Sequence, residues 1–423
     1  MDEKAIALGA LQKKLEGKSL NYREIFSIMD EIAHRKLGDI LTTYFAASGY
    51  TRGFSDEEMY YLTKAMVETG DKLSFPGIVA DKHSIGGVPG TRTTMIVVPI
   101  IAAAGFTIPK NSSRAITTPG GTADDMEVLA PVTFSKKEIY EIVRKANACI
   151  VWGGGVDIAP ADDILIKVEE PLMFESFDKI LVSIMAKKVA FGSTHIVIDL
   201  PYGKHVKART EKDALILKEK FEKLAKRFDV KIRLKIHKTL EPAGRGIGPL
   251  LEAKEALKVL EQTVDRPLDL EERSINLASE LLDLCLEDDI EKRKTVIEEH
   301  DTVDKYVRYL LSSKQALNKM KEIIQAQGGN SKVSSHNLHP GEKKHEVYAT
   351  KKATIKNLDC KNISIIAKIL GCPADKKAGL YLYKKIGEAV NKGDLLYTLY
   401  STNSHHLKEA RESLASFPIL EYD

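Results

Sequence analysis

Residues 81–101 read DKHSIGGVPGTRTTMIVVPII: a charged and hydroxyl-rich segment with three glycines, then a β-branched apolar run. Further short β-branched runs, Ala148–Val151 and Thr194–Leu200, alternate with longer helical patterns at Lys136–Lys145 and Lys212–Phe228. With Thr93–Ile101 read as another strand, this alternation predicts an α/β region with a mainly parallel sheet. Upstream, Ile25, Ile28, Met29 and Ile32 recur at the three-and-four period of one helical face. Ser55 with Glu58 reads as a capping box. A second helical piece, about 162–190, interrupts the α/β region.

The expected organisation is therefore a discontinuous helical lobe (1–70 and 160–190) and an α/β phosphate-binding lobe (71–159 and 191–327). A linker (328–344) around Gly328-Gly329-Asn330-Ser331 and a C-terminal α+β domain (345–423) follow. In the last of these, Asn391-Lys392-Gly393-Asp394 reads as a turn between strands. Ligands are expected at the carboxyl ends of the sheet strands and in a cleft between lobes.

Composition narrows the function. The 423 residues suffice for about two to four domains. Lys and Arg total 63 against 60 Asp and Glu. So even a balance offers no general attraction to nucleic acid or a membrane surface, and any anion site has to be local. Cys149, Cys285, Cys360 and Cys372 lie far apart, without metal-ligand or disulfide-framework spacing. Reduced thiols, no secretory signal and no membrane span point to a cytoplasmic protein.

Three glycine-rich segments carry the chemistry. In 81–94 the glycines let backbone N–H groups approach an oxyanion, while Lys82, Ser84 and Thr93 add charge and donors. The segment has neither Walker nor dinucleotide-fold spacing, and a plain strand-to-helix turn is its other reading. The second, 110–124 (KNSSRAITTPGGTAD), places five hydroxyl side chains, Arg114 and Gly120-Gly121 between Ser112 and Thr122. Two polar loops at a sheet edge are the alternative there. The third, Trp152-Gly153-Gly154-Gly155, leads to Ala159-Pro160-Ala161-Asp162-Asp163, where the paired carboxylates read as helix capping because adjacent helical residues point apart. No metal site is assigned.

At these segments the chain resembles the thymidine/pyrimidine-nucleoside phosphorylase family, and within it the AMP phosphorylase branch. The resemblance rests on DKHSIGGV (81–88), SRAITTPGGTAD (113–124), APADD (159–163), SIMAKK (183–188), PYGK (201–204), GRGIGP (244–249) and GLYLYKKIGEAVNKGD (379–394). It implies phosphorolysis, in which inorganic phosphate displaces the base from C1′ with no cofactor, in a homodimer. It also implies that Lys82, Ser84, Thr93, Ser112 and Thr122 hold the attacking phosphate. Gly87, Ser113, Arg114, Ala115, Ile116, Thr117, Thr118, Thr122, Ser183 and Lys207 would contact AMP, and His83 would sit by the base or sugar. The family acid is an Asp eight residues before the Ser that matches Ser183; here that position holds Glu175, with Asp178 the alternative donor. Members of the branch usually carry a further N-terminal domain that this chain is expected to lack, so a dimer rather than a larger assembly is expected.

Departures from the pyrimidine enzymes bear on the base. Pro89-Gly90-Thr91-Arg92 replaces their Gly-Asp-Lys, and Thr117-Thr118-Pro119 precedes Gly120-Gly121 where they have GHTGGT. Their base-binding Arg aligns with Val168. Neither Val168 nor an ionised Glu169 donates to a pyrimidine carbonyl, so the resemblance favours AMP, with CMP and UMP open. A thymidine or uridine phosphorylase, a phosphoribosyltransferase and a non-catalytic nucleotide-binding protein are the other readings.

Overall fold

The computed structural model describes residues 3–116, 118–169 and 176–423. The chain forms two compact units, one of Met1–Asp81, Gly153–Ile196 and Leu215–Ile232, the other of Lys82–Trp152, Val197–Ala214 and Arg233–Asp423.

The first unit is largely helical. Helices Glu3–Leu15, Tyr22–Ala33, Gly38–Arg52 and Asp56–Glu68 pack with Pro160–Glu169 and Phe177–Ala190. The apolar stripe of Tyr22–Ala33 (Ile25, Ile28, Met29 and Ile32) is buried, each side chain contributing about 1.5–3 kcal/mol. Ser55 accepts the Glu58 N–H, while the Glu58 carboxylate accepts the Ser55 N–H in return, which closes the expected capping box. Lys14 donates to that same buried carboxylate at 2.8 Å. Burial works to raise the Glu58 carboxyl, but Lys14 and the Ser55 and Leu20 N–H groups hold it below its usual range.

In the second unit, strand Ile108–Ser112 runs parallel to Ala148–Trp152, with Ile108 opposite Ala148 and Ser112 opposite Trp152. Helix Lys136–Ala146 lies in the crossover, as a parallel pair requires. Strands Ala80–Ser84, His195–Tyr202 and Lys231–Lys238 are adjacent in that order in a three-stranded sheet. Thr93–Ile101 is not a strand. Thr94–Ala103 is a helix, buried from Thr94 to Ala102 despite Pro99 inside it, and it packs on Pro249–Leu260, Leu268–Leu286 and Gln315–Ala326. An apolar run covered on every side reads alike as buried strand or buried helix, and here tertiary packing overrides β-branched propensity.

The C-terminal part builds an antiparallel four-stranded sheet in the order Gly246–Ile247, Gly379–Leu382, Leu395–Ser401, Lys343–Tyr348. Ala353–Leu358 pairs with Ala389–Val390 and Leu420–Tyr422 in another. The turn Asn391–Asp394 closes with Asp394 N–H donating to Asn391, but the strands it joins belong to different sheets. The architecture is thus mixed α/β with a helical bundle, a parallel-strand layer and a C-terminal α+β part.

Candidate active site

Strand Ala80–Ser84 carries Lys82 into the interior of the second unit, where the residue is 1% exposed. Its Nζ donates to Ser84 Oγ at 2.5 Å, Thr93 Oγ1 at 2.6 Å and Thr94 Oγ1 at 3.3 Å. The two threonines stand at the start of helix Thr94–Ala103, whose N-terminal end favours negative charge. The turn that brings them back to Lys82 needs Gly87, which has φ +102° and lies so close to the 205–206 backbone that a Cβ would come 3.1 Å from Val206 Cα. One cation inside a ring of neutral hydroxyls can hold an oxyanion without quenching it as a nucleophile.

Asp199, on strand His195–Tyr202 and 1% exposed, backs this ring. It accepts from Ser84 Oγ at 2.9 Å, lies 2.8 Å from His237 Nε2 and accepts from Arg273 through both oxygens at 3.3 Å. Burial works to raise this carboxyl, but Arg273, Lys82 and His237 hold it below its ordinary value. Burial and the neighbouring Arg273 push His237 down, toward neutral imidazole. Sequence reasoning missed all three residues.

The second segment folds around a buried carboxylate. Asp124 Oδ2 accepts from Ala115 N–H at 2.7 Å and Gly121 N–H at 3.0 Å; its Oδ1 accepts from Arg114 at 3.1 Å and Lys376 at 3.0 Å. Burial opposes the charge on Asp124, but the Gly121 N–H and Lys376 hold its carboxyl down. A Cβ on Gly121 would lie 2.4 Å from Ser113 O, so the loop 113–116 passes directly over that glycine. Arg114 makes two further bonds of 2.7 Å to Glu127 and lies over the Trp152 ring. Its charge is engaged within the loop. Ser112 Oγ, at the end of its strand, is buried with no partner among the described residues. Thr118 Oγ1 donates to Gly120 O at 2.8 Å, Thr122 opens helix Thr122–Met126, and Ile116 is exposed.

Arg92 joins the two glycine segments. It donates to Gly120 O and pairs with the buried carboxylates of Asp125, at 2.5 Å, and Glu252. Burial pushes both carboxyls up, Asp125 well above its ordinary value.

Among the remaining nominated residues, His83 is half-buried on Ala80–Ser84, and Lys207 is half-buried just beyond His195–Tyr202. Ser183 belongs to the first unit, where its Oγ donates to Asp162 Oδ2 at 2.7 Å. Asp162 and Asp163 do not point apart as capping residues. Both reach Lys187, at 2.9 and 3.1 Å, so the pair ties helix Pro160–Glu169 to Phe177–Ala190. In the same unit Asp81 is bound by Lys188 at 2.8 Å and by Ser193 at 3.0 Å, which links the DKHS and SIMAKK motifs. Asp178, the alternative acid, pairs with Lys220 at 2.5 Å and accepts the Phe54 N–H at 3.1 Å. Glu175 and Thr117 lie outside the described residues. Among the described residues no cluster of His, Cys, Asp or Glu has a metal-holding arrangement, and no helix is long and apolar enough to cross a membrane.

Comparison with known proteins identifies the family. Residues 9–70 match a glycosyl transferase family helical bundle domain, 77–205 a glycosyl transferase family a/b domain and 354–417 a pyrimidine nucleoside phosphorylase C-terminal domain. The chain is 42% identical to AMP phosphorylase of Thermofilum pendens over 98% of its own length and 78% of that protein's. It is likewise 42% identical to AMP phosphorylase of Methanocaldococcus jannaschii, over 96% and 79% of the two chains. A putative thymidine phosphorylase of Legionella pneumophila is 39% identical over 96% and 76%. Among solved structures, anthranilate phosphoribosyltransferase from Thermus thermophilus shares the fold with a TM-score of 0.60 at 14% identity, covering 76% of this chain and 99% of that one.

Proposed function

The chain belongs to the thymidine phosphorylase family, among the proteins named AMP phosphorylase, and on that premise we propose that it cleaves AMP with inorganic phosphate. A phosphate oxygen forms a bond to C1′ as the C1′–N9 bond breaks, and the electron pair leaves with adenine. Hydrogen phosphate loses its proton, adenine gains one, and the second product is ribose 1,5-bisphosphate. The observation that carries the reading is the Lys82 ammonium ringed by Ser84, Thr93 and Thr94. It supplies one positive charge and hydroxyls where a phosphate nucleophile has to be oriented but left reactive.

Ser112, whose buried hydroxyl has no partner among the described residues, and Thr122 complete the phosphate set. The 113–118 loop, Thr122, Gly87, Ser183 and Lys207 take the nucleotide. Because Arg114 is bound to Asp124 and Glu127, its part is to shape the loop whose backbone and hydroxyl groups meet AMP. His83 sits by the sugar or base. Glu175 is the general acid that protonates the leaving adenine, most simply at N7, a step that typically contributes about 10²–10⁴-fold. The protein works without metal or organic cofactor, as a cytoplasmic homodimer with a helical lobe (1–70 and 160–190), an α/β lobe and a C-terminal domain.

The test is a substrate panel. AMP, CMP, UMP, thymidine and uridine are incubated with phosphate, with and without EDTA, and free base is measured. AMP is expected to turn over fastest and equally in EDTA. Turnover of thymidine or uridine in preference to every 5′-monophosphate would give the chain to the nucleoside enzymes instead. Activity that EDTA abolishes and magnesium restores would overturn the metal-free part.

A further inference from the structure

Ser84 Oγ has one proton and two lone pairs. Its two partners leave no choice about their use. An ammonium only donates, so Lys82 at 2.5 Å takes one lone pair. A carboxylate only accepts, so Asp199 at 2.9 Å takes the proton. Asp199 is held in that role from behind: Arg273 donates to both of its oxygens and His237 Nε2 lies 2.8 Å from Oδ1. What Ser84 offers to an anion resting on Lys82 is therefore its second lone pair, which can only accept.

We infer that Asp199 is a specificity-determining residue that turns Ser84 into a hydrogen-bond acceptor, so that the Lys82 cradle selects oxyanions that still carry a proton. Hydrogen phosphate and hydrogen arsenate place an O–H against Ser84. Sulfate and monofluorophosphate, dianions of similar size with no proton to give, set an oxygen or fluorine lone pair against a serine lone pair. A buried mismatch of that kind costs enough to be read as a change of about tenfold or more in affinity. Lys82, Thr93 and Thr94 supply general anion affinity; Ser84, oriented by Asp199, supplies discrimination. The inference rests on the reading that Lys82 and Ser84 hold the attacking phosphate.

The test is calorimetric titration of the full chain at neutral pH with inorganic phosphate, sulfate and monofluorophosphate. Wild type is expected to bind phosphate at least about tenfold more tightly than either of the others. Ser84→Ala keeps the Asp199–Arg273 pair and so keeps the fold; it is expected to bring the three anions within about threefold of one another. In Asp199→Asn an amide N–H facing Ser84 frees the serine proton for the anion, and the sulfate-to-phosphate ratio is expected to shift the same way. A Ser84→Ala protein that keeps the full preference overturns the inference, as does a wild type that binds all three alike. Absence of any phosphate binding in wild type would instead overturn the phosphate assignment of Lys82 beneath it. A merely structural Ser84 would weaken all three anions equally and leave their ratio unchanged, which also counts against the proposal.

Discussion

Replacing Lys82 by methionine removes the ammonium and keeps an unbranched side chain of similar length in the same buried space. Three hydroxyl contacts at 2.5, 2.6 and 3.3 Å disappear. Asp199 does not become an unpaired buried charge, because Arg273 at 3.3 Å and His237 at 2.8 Å remain. The fold should therefore lose less than the roughly 3–5 kcal/mol expected where removing one member of a buried pair strands its counter-charge. Phosphate binding should lose much. One charge-assisted hydrogen bond is worth about 1.5–3 kcal/mol, which corresponds to roughly 10- to 150-fold in affinity. The assay is adenine release from AMP at varied phosphate, with a thermal melt of the same preparation. A Lys82→Met protein with wild-type phosphate KM and kcat would refute the assignment of the cation. A normal KM in a protein that melts far lower would show that Lys82 serves the fold alone.

Gly121→Ala places a methyl group 2.4 Å from Ser113 O, so the 113–116 loop has to move. A stability loss of about 1–3 kcal/mol by thermal melt and a weakened AMP KM are expected, and an unchanged KM would count against that loop as the nucleotide seat. Glu175→Gln should lower kcat at least about tenfold with AMP binding intact, whereas Asp178→Asn, which loosens the Lys220 and Phe54 ties, should lower the melting temperature and spare kcat; the reverse pattern moves the acid to Asp178. Glu255 is pushed by burial from 4.5 to about 7 despite the Gly246 and Arg245 N–H groups and Lys385, so it favours folding below about 4.5 and loses that contribution as pH rises through about 7. Glu255→Gln should remove up to about 3 kcal/mol of that pH dependence, and denaturant titrations in which the unfolding free energy changes by the same amount between pH 5 and 8 in both proteins would contradict it.

Local patterns in the chain were readable because local physics decides them. Ile25, Ile28, Met29 and Ile32 mark a helical face whose period is set by 3.6 residues per turn, and Ser55 with Glu58 caps a helix through contacts three residues apart. The run Thr93–Ile101 was misread because a segment buried on every side loses the alternation that separates strand from helix. The carboxylates of Asp162 and Asp163 meet Lys187 rather than their own helix end, and that depends on where helix Phe177–Ala190 packs. The cradle shows the same division. Lys82, Ser84 and Thr93 stand within a dozen residues of one another and stood out as a group. Asp199, His237 and Arg273 are spread over more than seventy residues, on two strands and the helix Leu268–Leu286, with no spacing to connect them until the chain is folded. Asp199-Leu200, directly ahead of the PYGK motif, was a signal that could have drawn attention there.

Phosphorus NMR of a single reaction shows whether the cleavage of AMP at C1′ depends on phosphate. The purified protein is mixed with AMP and inorganic phosphate, and the sugar phosphates are followed while adenine is quantified in parallel. Inorganic phosphate and AMP are expected to fall together while adenine and ribose 1,5-bisphosphate rise in equal amounts, with no reaction when phosphate is left out. Adenine released at the same rate without phosphate, accompanied by ribose 5-phosphate, would make the protein a hydrolase instead of a phosphorylase.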